Sequence, residues 1–506
     1  MSDEQQRTIL IVGGGTAGWM AAAAFSRFLG CSWRVELVES DAIGTVGVGE
    51  ATIPQIRLFN AGLGLDEDDF LRATQGTIKL GIAFDDWVCP GSRYIHGFGG
   101  VGRGLGLTEF HHYWLRARAE GIALPFGEHS LNNVAALEGR FARFDAQGPV
   151  PPMPYAFHFD AGLYAAYLRR FAQARGVVRH EGRVERIERA ADGNIAAVHL
   201  EGDRRIAAEL FVDCSGFRGL LIGEALGVGY QDWRHWLPCD RALAVPSARV
   251  GDPVPYTRAI ARTAGWQWRI PLQHRTGNGY VYDSAHVSDD EAAATLLANL
   301  DGEALGDPRL LRFTTGKRDA FWANNCVAVG LAGGFLEPLE STSIHLIQTA
   351  IARILAFLPA GTMTAADRDE YNRLTRIEYD RIRDFLVLHY HANARVGEPL
   401  WDQARAMALP DELSRKLALW RASARLSRRD EELFAEPGWT QVLIGQEILP
   451  DRWHPLADAV PGADLSQFLT TIAGVATRAA GAMPSHAAFL SRLRTPSSSP
   501  LERATA

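Results

Sequence analysis

The stretch that most constrains this chain is Gly13-Gly14-Gly15-Thr16-Ala17-Gly18, set between a short apolar run and an alanine-rich one. Residues 8–12 read Thr-Ile-Leu-Ile-Val and stop at glycine, as a buried parallel strand does. Residues 16–29 contain no proline and have helical composition. Residues 34–38 alternate polar and apolar side chains like a second strand, and Glu39 closes it. Strand, glycine loop, helix and strand in this order make a βαβ unit. In the register Gly13, Gly15, Gly18 the loop is a GxGxxG. The glycines permit a tight turn, let the backbone approach a pyrophosphate, and bring helix and strand close together. The helix start at Thr16 and Ala17 adds N–H groups and the positive end of the helix dipole. Glu39, about twenty residues further on, stands where a carboxylate accepts hydrogen bonds from a ribose hydroxyl. Glycine-rich turns are common, but this context points to a bound dinucleotide rather than a structural turn.

The rest of the chain suits an α/β enzyme. It has 506 residues, 47% hydrophobic and 22% charged, enough for several substantial cores. A net charge of −7 gives no reason to expect nucleic acid. The arginines clustered at 169–175 and 415–429 read as solvated helix faces. Cys31, Cys89, Cys214, Cys239 and Cys326 are scattered and form no CxxC pair, so neither a metal cluster nor a disulfide framework is expected. The opening residues lack the apolar stretch of a signal peptide, and no apolar run reaches the roughly eighteen residues of a membrane span. A cytoplasmic protein is expected, with a homodimer the default assembly.

Residues 178–211 alternate strand-like stretches with turn signals such as Ala191-Asp192-Gly193-Asn194, a meander returning to the main sheet. Helices are predicted over 343–357 and 365–391, and the pattern stays helical beyond about 395. The chain divides into a cofactor-binding core with inserted substrate-side strands (1–390), a helical region over the substrate side (391–494), and a Ser/Pro/Ala-rich tail expected to be disordered (495–506).

Two later stretches point to FAD. Leu210-Phe211-Val212-Asp213-Cys214-Ser215-Gly216 resembles the second FAD-contacting strand of flavoprotein monooxygenases, and residues 325–334, Asn-Cys-Val-Ala-Val-Gly-Leu-Ala-Gly-Gly, resemble their third. Gly330 and Leu331 are the cofactor candidates there. No second nucleotide fingerprint is found, so reduced flavin is expected to arrive from a separate NAD(P)H-dependent reductase.

With these features the sequence resembles the flavin-dependent tryptophan halogenase family from residue 9 to about 391. Four motifs carry the likeness: Gly13-Gly14-Gly15-Thr16-Ala17-Gly18-Trp19-Met20, Gly47-Val48-Gly49-Glu50-Ala51-Thr52-Ile53-Pro54, Gly265-Trp266-Gln267-Trp268-Arg269-Ile270-Pro271, and Phe335-Leu336-Glu337-Pro338-Leu339-Glu340-Ser341-Thr342. The third is the most specific. The resemblance implies an FAD-binding Rossmann-like core of the monooxygenase type, with Val48 and Ala51 at the flavin. It also implies chemistry in which reduced flavin and O2 form a C4a-hydroperoxide that oxidises chloride or bromide to hypohalous acid. Trp266 and Trp268 then separate flavin from substrate; packed on one strand face, they would equally serve a core. Lys79 matches the family lysine that holds the oxidant, by hydrogen bond or as a haloamine. Glu340 matches the glutamate that stabilises the cationic ring and takes its proton. Ser341 and Thr342 match the residues whose backbone N–H groups hold the halide. His96 and Phe98, in Ile95-His96-Gly97-Phe98-Gly99, match rings that stack on an indole. Glu337 is read as structural.

The resemblance breaks down at residues 425–439. Tryptophan-specific members carry tyrosines and a Phe-Trp-Asn segment there that clamp the amino acid; this stretch looks shorter and has no tyrosine pair. Trp439 is not equated with the clamping tryptophan. An indole-type ring or an aromatic side chain in a larger molecule or peptide is therefore expected, rather than free tryptophan. The competing readings are a flavin hydroxylase and a non-catalytic FAD-binding paralogue.

Overall fold

The apolar run ahead of the glycine loop lies inside a six-stranded sheet. In a computed structural model that describes residues 6–42, 49–144, 153–358, 363–429 and 432–494, the strand Arg7–Val12 pairs in parallel with Trp33–Glu39 on one side and Leu210–Asp213 on the other. Val178–Glu181 and Cys326–Ala328 extend the sheet in parallel, and Trp322–Ala323 closes one edge antiparallel. Ile9, Leu10 and Ile11 are fully buried because helices cover both faces of a parallel sheet. The helix Thr16–Phe28 packs its buried alanines against Ala161–Gln173 and Ser343–Phe357. This is the α/β core the glycine loop predicts. The meander also forms: Val184–Arg189, Ile195–Leu200 and Arg204–Ala207 make a separate antiparallel sheet before the chain re-enters the main one at Leu210.

A second, seven-stranded sheet carries the substrate side. Its order is Arg309–Arg312, Arg241–Ser247, Thr276–Tyr282, Gly265–Pro271, Thr257–Arg262, Gly81–Asp85, Arg93–Gly97. A smaller sheet of Gly49–Ala51, Ala156–Asp160 and Thr77–Lys79 stands beside it and presents Lys79 at the end of its edge strand.

Two helices lie at the bounds expected, Ser343–Phe357 and Ala365–His391. The second begins where Thr364 and Asp367 form a reciprocal capping box. Glu378, midway along it, binds the first through His345 at 3.0 Å and Arg353 at 2.6 Å. The helices Pro399–Ala406, Asp411–Ser423, Glu436–Gly445, Gly462–Gly481 and His486–Arg494 follow, so the region after 391 is helical as predicted. Cys89, Cys214, Cys239 and Cys326 are free thiols. No helix among the described residues is long and apolar enough to cross a membrane. The expectations for residues 495–506 fall outside the described residues.

The glycines differ in what they enforce. A Cβ on Gly18 would sit 1.8 Å from the Gly13 carbonyl oxygen, whereas one on Gly15 would meet nothing within 4 Å. Gly18→Ala should therefore lower the melting temperature sharply, by the several degrees that ~1–3 kcal/mol represents. Gly15→Ala should leave it nearly unchanged; equal melting points for the two would show the loop is looser than drawn.

Candidate active site

The glycine loop forms a cradle at the carboxyl edge of the parallel sheet. Gly13 has φ +117°, and a Cβ there would lie 2.2 Å from the Cys214 carbonyl oxygen. One on Gly14 would strike the Glu39 carboxylate. Gly15 is the N-cap of the helix and brings no side chain to cap it, so its first-turn N–H groups face the open space beside Gly15. Gly330, at φ +68°, brings the turn Gly330–Ala332 against Ala17, where a Cβ would come to 3.1 Å. Gly13, Gly15, Thr16, Ala17, Gly18, Glu39, Gly330 and Leu331 thus gather around one edge, and their donors and open backbone fit a dinucleotide pyrophosphate. Glu39 is held by Trp19 Nε1 at 3.2 Å, Arg179 Nε at 2.5 Å and Arg169 at 3.4 Å. Arg169, read from sequence as part of a solvated face, therefore also reaches Glu39. Ala51 lies in the strand Gly49–Ala51, whose Gly49 packs beside Ile270 and Leu272. Val48 falls outside the described residues.

Lys79 and Glu340, 261 residues apart in sequence, are both buried in one cluster. Lys79 Nζ donates to Ser341 Oγ at 2.6 Å and stands 5.2 Å from the centre of the half-buried Phe98 ring. Burial pulls the Lys79 ammonium down to about 7, against the opposing pull of the Glu340 charge. Burial alone would push Glu340 up, but His96 and His389 more than offset it and hold the carboxyl at about 2. His96 Nδ1 lies 3.0 Å from each carboxylate oxygen. His389 Nε2 lies 2.7 Å from Oε1, at ion-pair range though off the line of a straight hydrogen bond. Its Nδ1 meets Tyr94 Oη at 3.1 Å. Among these groups the carboxylate stays ionised.

Two details differ from the sequence expectation. His96 is more than a ring face: its Nδ1 lies 3.0 Å from the Glu340 carboxylate, an in-plane contact, and its ring centre is 5.7 Å from that of Phe385. Ser341 closes the 3-10 turn Pro338–Glu340, so its N–H donates to the Pro338 carbonyl at 3.1 Å and is already committed; the residue itself sits at φ +60°. Thr342, fully buried with an unpartnered hydroxyl, keeps hydrogen-bonding capacity beside Lys79's partner.

Trp266 and Trp268 project from one strand face, 6.2 Å between ring centres. Glu337 fixes the first: its Oε2 accepts from Trp266 Nε1 at 2.8 Å and Tyr390 Oη at 2.6 Å, and burial pushes its carboxyl up to about 7. Gly279 is required beneath Trp268, where a Cβ would come within 2.0 Å of the indole. Trp87 and Trp401 continue the aromatic wall.

Sequence reasoning missed His389, Tyr94 and His158. The fully buried His158 accepts at Nε2 from Thr257 Oγ1, and its Nδ1 lies 2.9 Å from Thr77 Oγ1. Since Thr77 donates its own proton to the Pro271 carbonyl at 2.6 Å, His158 carries its proton on Nδ1. It ties the lysine strand to the strand Thr257–Arg262, which pairs with the tryptophan strand. A histidine in the apolar run Ala156–Asp160 was the available signal; for His389 nothing short of helix register would have served.

The sequence profile of the tryptophan halogenase family matches residues 8–462. The tryptophan 6-halogenase SttH of Streptomyces toxytricini is 38% identical over 452 residues, 83% of this chain and 85% of its own. The crystal structure of Xcc4156, a flavin-dependent halogenase from Xanthomonas campestris, superposes with TM-score 0.94 at 50% identity over 98% of this chain and 99% of its own. That of BrvH, a flavin-dependent halogenase from Brevundimonas sp. BAL3, does so with TM-score 0.93 at 46% identity over 97% of this chain and 100% of its own.

The Glu340 cluster predicts a pH signature. A carboxyl held near 2 in the fold and near 4.5 when unfolded contributes stability that is complete above about 4.5 and lost as pH falls toward 2. His389→Phe keeps the stacking on Phe84 but removes one of the groups that depress Glu340. It should cost on the order of 1–3 kcal/mol near pH 7, with the gap to the parent closing below about pH 4. Thermal melts from pH 3 to 8 check this, and a pH-independent gap would mean packing alone.

Proposed function

The chain belongs to the tryptophan halogenase family, and on that premise we propose that its Lys79 and Glu340 pass oxidised halide to an electron-rich, indole-type ring. It is a flavin-dependent halogenase. The observation that carries the proposal is the single buried cluster in which Lys79 Nζ hydrogen-bonds Ser341, the residue next to Glu340. Bound FAD in its reduced form, with O2, supplies the oxidising power that turns chloride or bromide into hypohalous acid.

The chain's own residues do the rest. Thr342 offers a buried hydroxyl to the halide. Trp266, braced by Glu337, and Trp268 keep the ring to be halogenated away from the flavin. Lys79 donates a hydrogen bond to the oxygen of hypohalous acid and polarises the halogen. As the carbon–halogen bond forms, the halogen–oxygen bond breaks, and the departing hydroxide takes the Lys79 ammonium proton and leaves as water; the proton lost from the ring balances it. Glu340, ionised, stabilises the positive charge spread over the ring and then takes the proton lost from carbon. A carboxylate of low pKa suffices, because a cationic ring of this kind is a far stronger acid. The short bond to Ser341, the Phe98 face and the Glu340 charge support the ammonium of Lys79 against burial, which brings it down to about 7, and we take the hydrogen-bonding route.

The substrate reading rests on residues 425–439. Phe434 stacks on Phe385 at 3.9 Å, and Trp439 meets Phe385 edge-on at 4.8 Å, so this stretch presents rings toward His96. Two of its charges are paired with the helix Asp411–Ser423: Glu432 takes Lys416 at 2.7 Å, and Arg429 pairs with Glu412. That supports an indole or aromatic side chain over free tryptophan, whose ammonium and carboxylate need partners. Residues 391–494 act as the cover on this side, and a separate NAD(P)H-dependent flavin reductase supplies FADH2.

The test supplies the purified protein with FAD, a flavin reductase, NADH, O2 and bromide or chloride, and offers a panel of indoles and tryptophan. Halogen isotope patterns on simple indoles are expected. Only hydroxylated products would overturn the halogenase reading, and full halogenation by Lys79→Ala would overturn the role of Lys79. With the ammonium as the working form, single-turnover halogenation should fall as pH rises through about 7, with a slope of one proton.

A further inference from the structure

The family match ends at residue 462, yet the helix His486–Arg494 reaches back to the lysine strand. Thr77–Lys79 lies at the edge of its sheet, with Ala156–Asp160 on one side and, among the described residues, no strand on the other. Backbone N–H groups along such an edge need other acceptors. Leu80 N–H finds one directly in the Pro255 carbonyl, at 2.8 Å. Ile78 N–H instead donates to His486 Nε2 at 3.1 Å, and His486 Nδ1 donates onward to the Pro253 carbonyl at 2.7 Å. The segment Pro253-Val254-Pro255 thus behaves as an incomplete neighbouring strand. Its prolines offer carbonyls but no N–H, and the imidazole fills the gap between Pro253 and the strand edge.

We propose that His486 is a positioning residue for Lys79: its imidazole stands in for the missing strand, fixes the Ile78 amide, and so sets the direction in which the next residue projects its ammonium toward Ser341 and Glu340. The proposal rests on the reading of Lys79 as the catalytic lysine. His486 is itself held on both sides, being 1% exposed with its own N–H on the Gly139 carbonyl at 2.8 Å, while Phe141 N–H donates to Pro484. Burial keeps the ring neutral, with its pKa pulled down to about 4, so one nitrogen remains a donor and the other an acceptor. Both are needed, because Ile78 supplies a proton and Pro253 a lone pair.

The experiment compares His486→Leu, which removes both hydrogen bonds, with His486→Gln, whose amide offers one donor and one acceptor. Each is assayed as the full chain with FAD, reductase, NADH, O2 and bromide on indole, alongside Lys79→Ala. The leucine variant is expected to melt within a few degrees of the parent, lose at least tenfold in kcat with KM little changed, and lose exchange protection at the Ile78 amide. The glutamine variant is expected to keep most of kcat and that protection. If Lys79→Ala abolishes halogenation while His486→Leu keeps full kcat, the positioning role is wrong; if Lys79→Ala itself retains activity, the underlying reading of Lys79 is what fails. Should the leucine variant not fold, the tautomer decides: 15N-histidine spectra of the wild type must show His486 protonated at Nδ1 alone, and a proton on Nε2 overturns the proposal.

Discussion

A carboxylate removed from water is costly unless the surrounding groups hold it ionised, and Glu340 is the place where this protein meets that cost. The groups that meet it come from separate parts of the chain. His96 arrives on an edge strand of the seven-stranded sheet, His389 at the end of a long helix, and Lys79 on the edge strand of a third sheet. The carboxylate therefore fixes how these elements meet, and elements displaced from it would leave a buried charge unmatched. The same constraint explains the contrast with Glu337. It is equally buried, but it faces an indole N–H and a phenol rather than imidazoles, so its proton is retained up to about 7. Two glutamates three residues apart thus differ: one carries a charge in the Lys79 cluster, and the other braces the tryptophan wall.

Local signals made the cofactor half of the molecule readable. The glycine loop, the strand before it and the acid after it are close in sequence, and their geometry follows from backbone rules that operate over a few residues. The helices 343–357 and 365–391 were equally plain, since periodicity and a Thr364–Asp367 cap act locally. The candidate site was legible only through motif likeness. Nothing near Lys79 announces that it will be buried beside Ser341, and a lone lysine is ordinarily a surface residue.

What stayed hidden were pairings with no local periodicity. Ile78 and His486 are 408 residues apart. His96 belongs to an aromatic run that invites a stacking role, and only the fold shows its nitrogen spent on Glu340. The motif likeness makes Ser341 an amide donor, but the 3-10 turn before it commits that N–H to Pro338. In each case a side chain or an amide was claimed by a partner that the primary sequence does not place nearby.

The helix Ala365–His391 is anchored at two points along its length to the segment 337–353. Glu378 grips the helix that follows the Ser341–Thr342 turn, while His389 and Tyr390 hold Glu340 and Glu337. At about 1.5 Å per residue the interval from Glu378 to His389 is a ruler of roughly 16 Å. Adding or removing a single residue within it would swing His389 by about 100° around the axis and part it from Glu340. The spacing between these anchors is therefore a length the protein cannot vary by small steps.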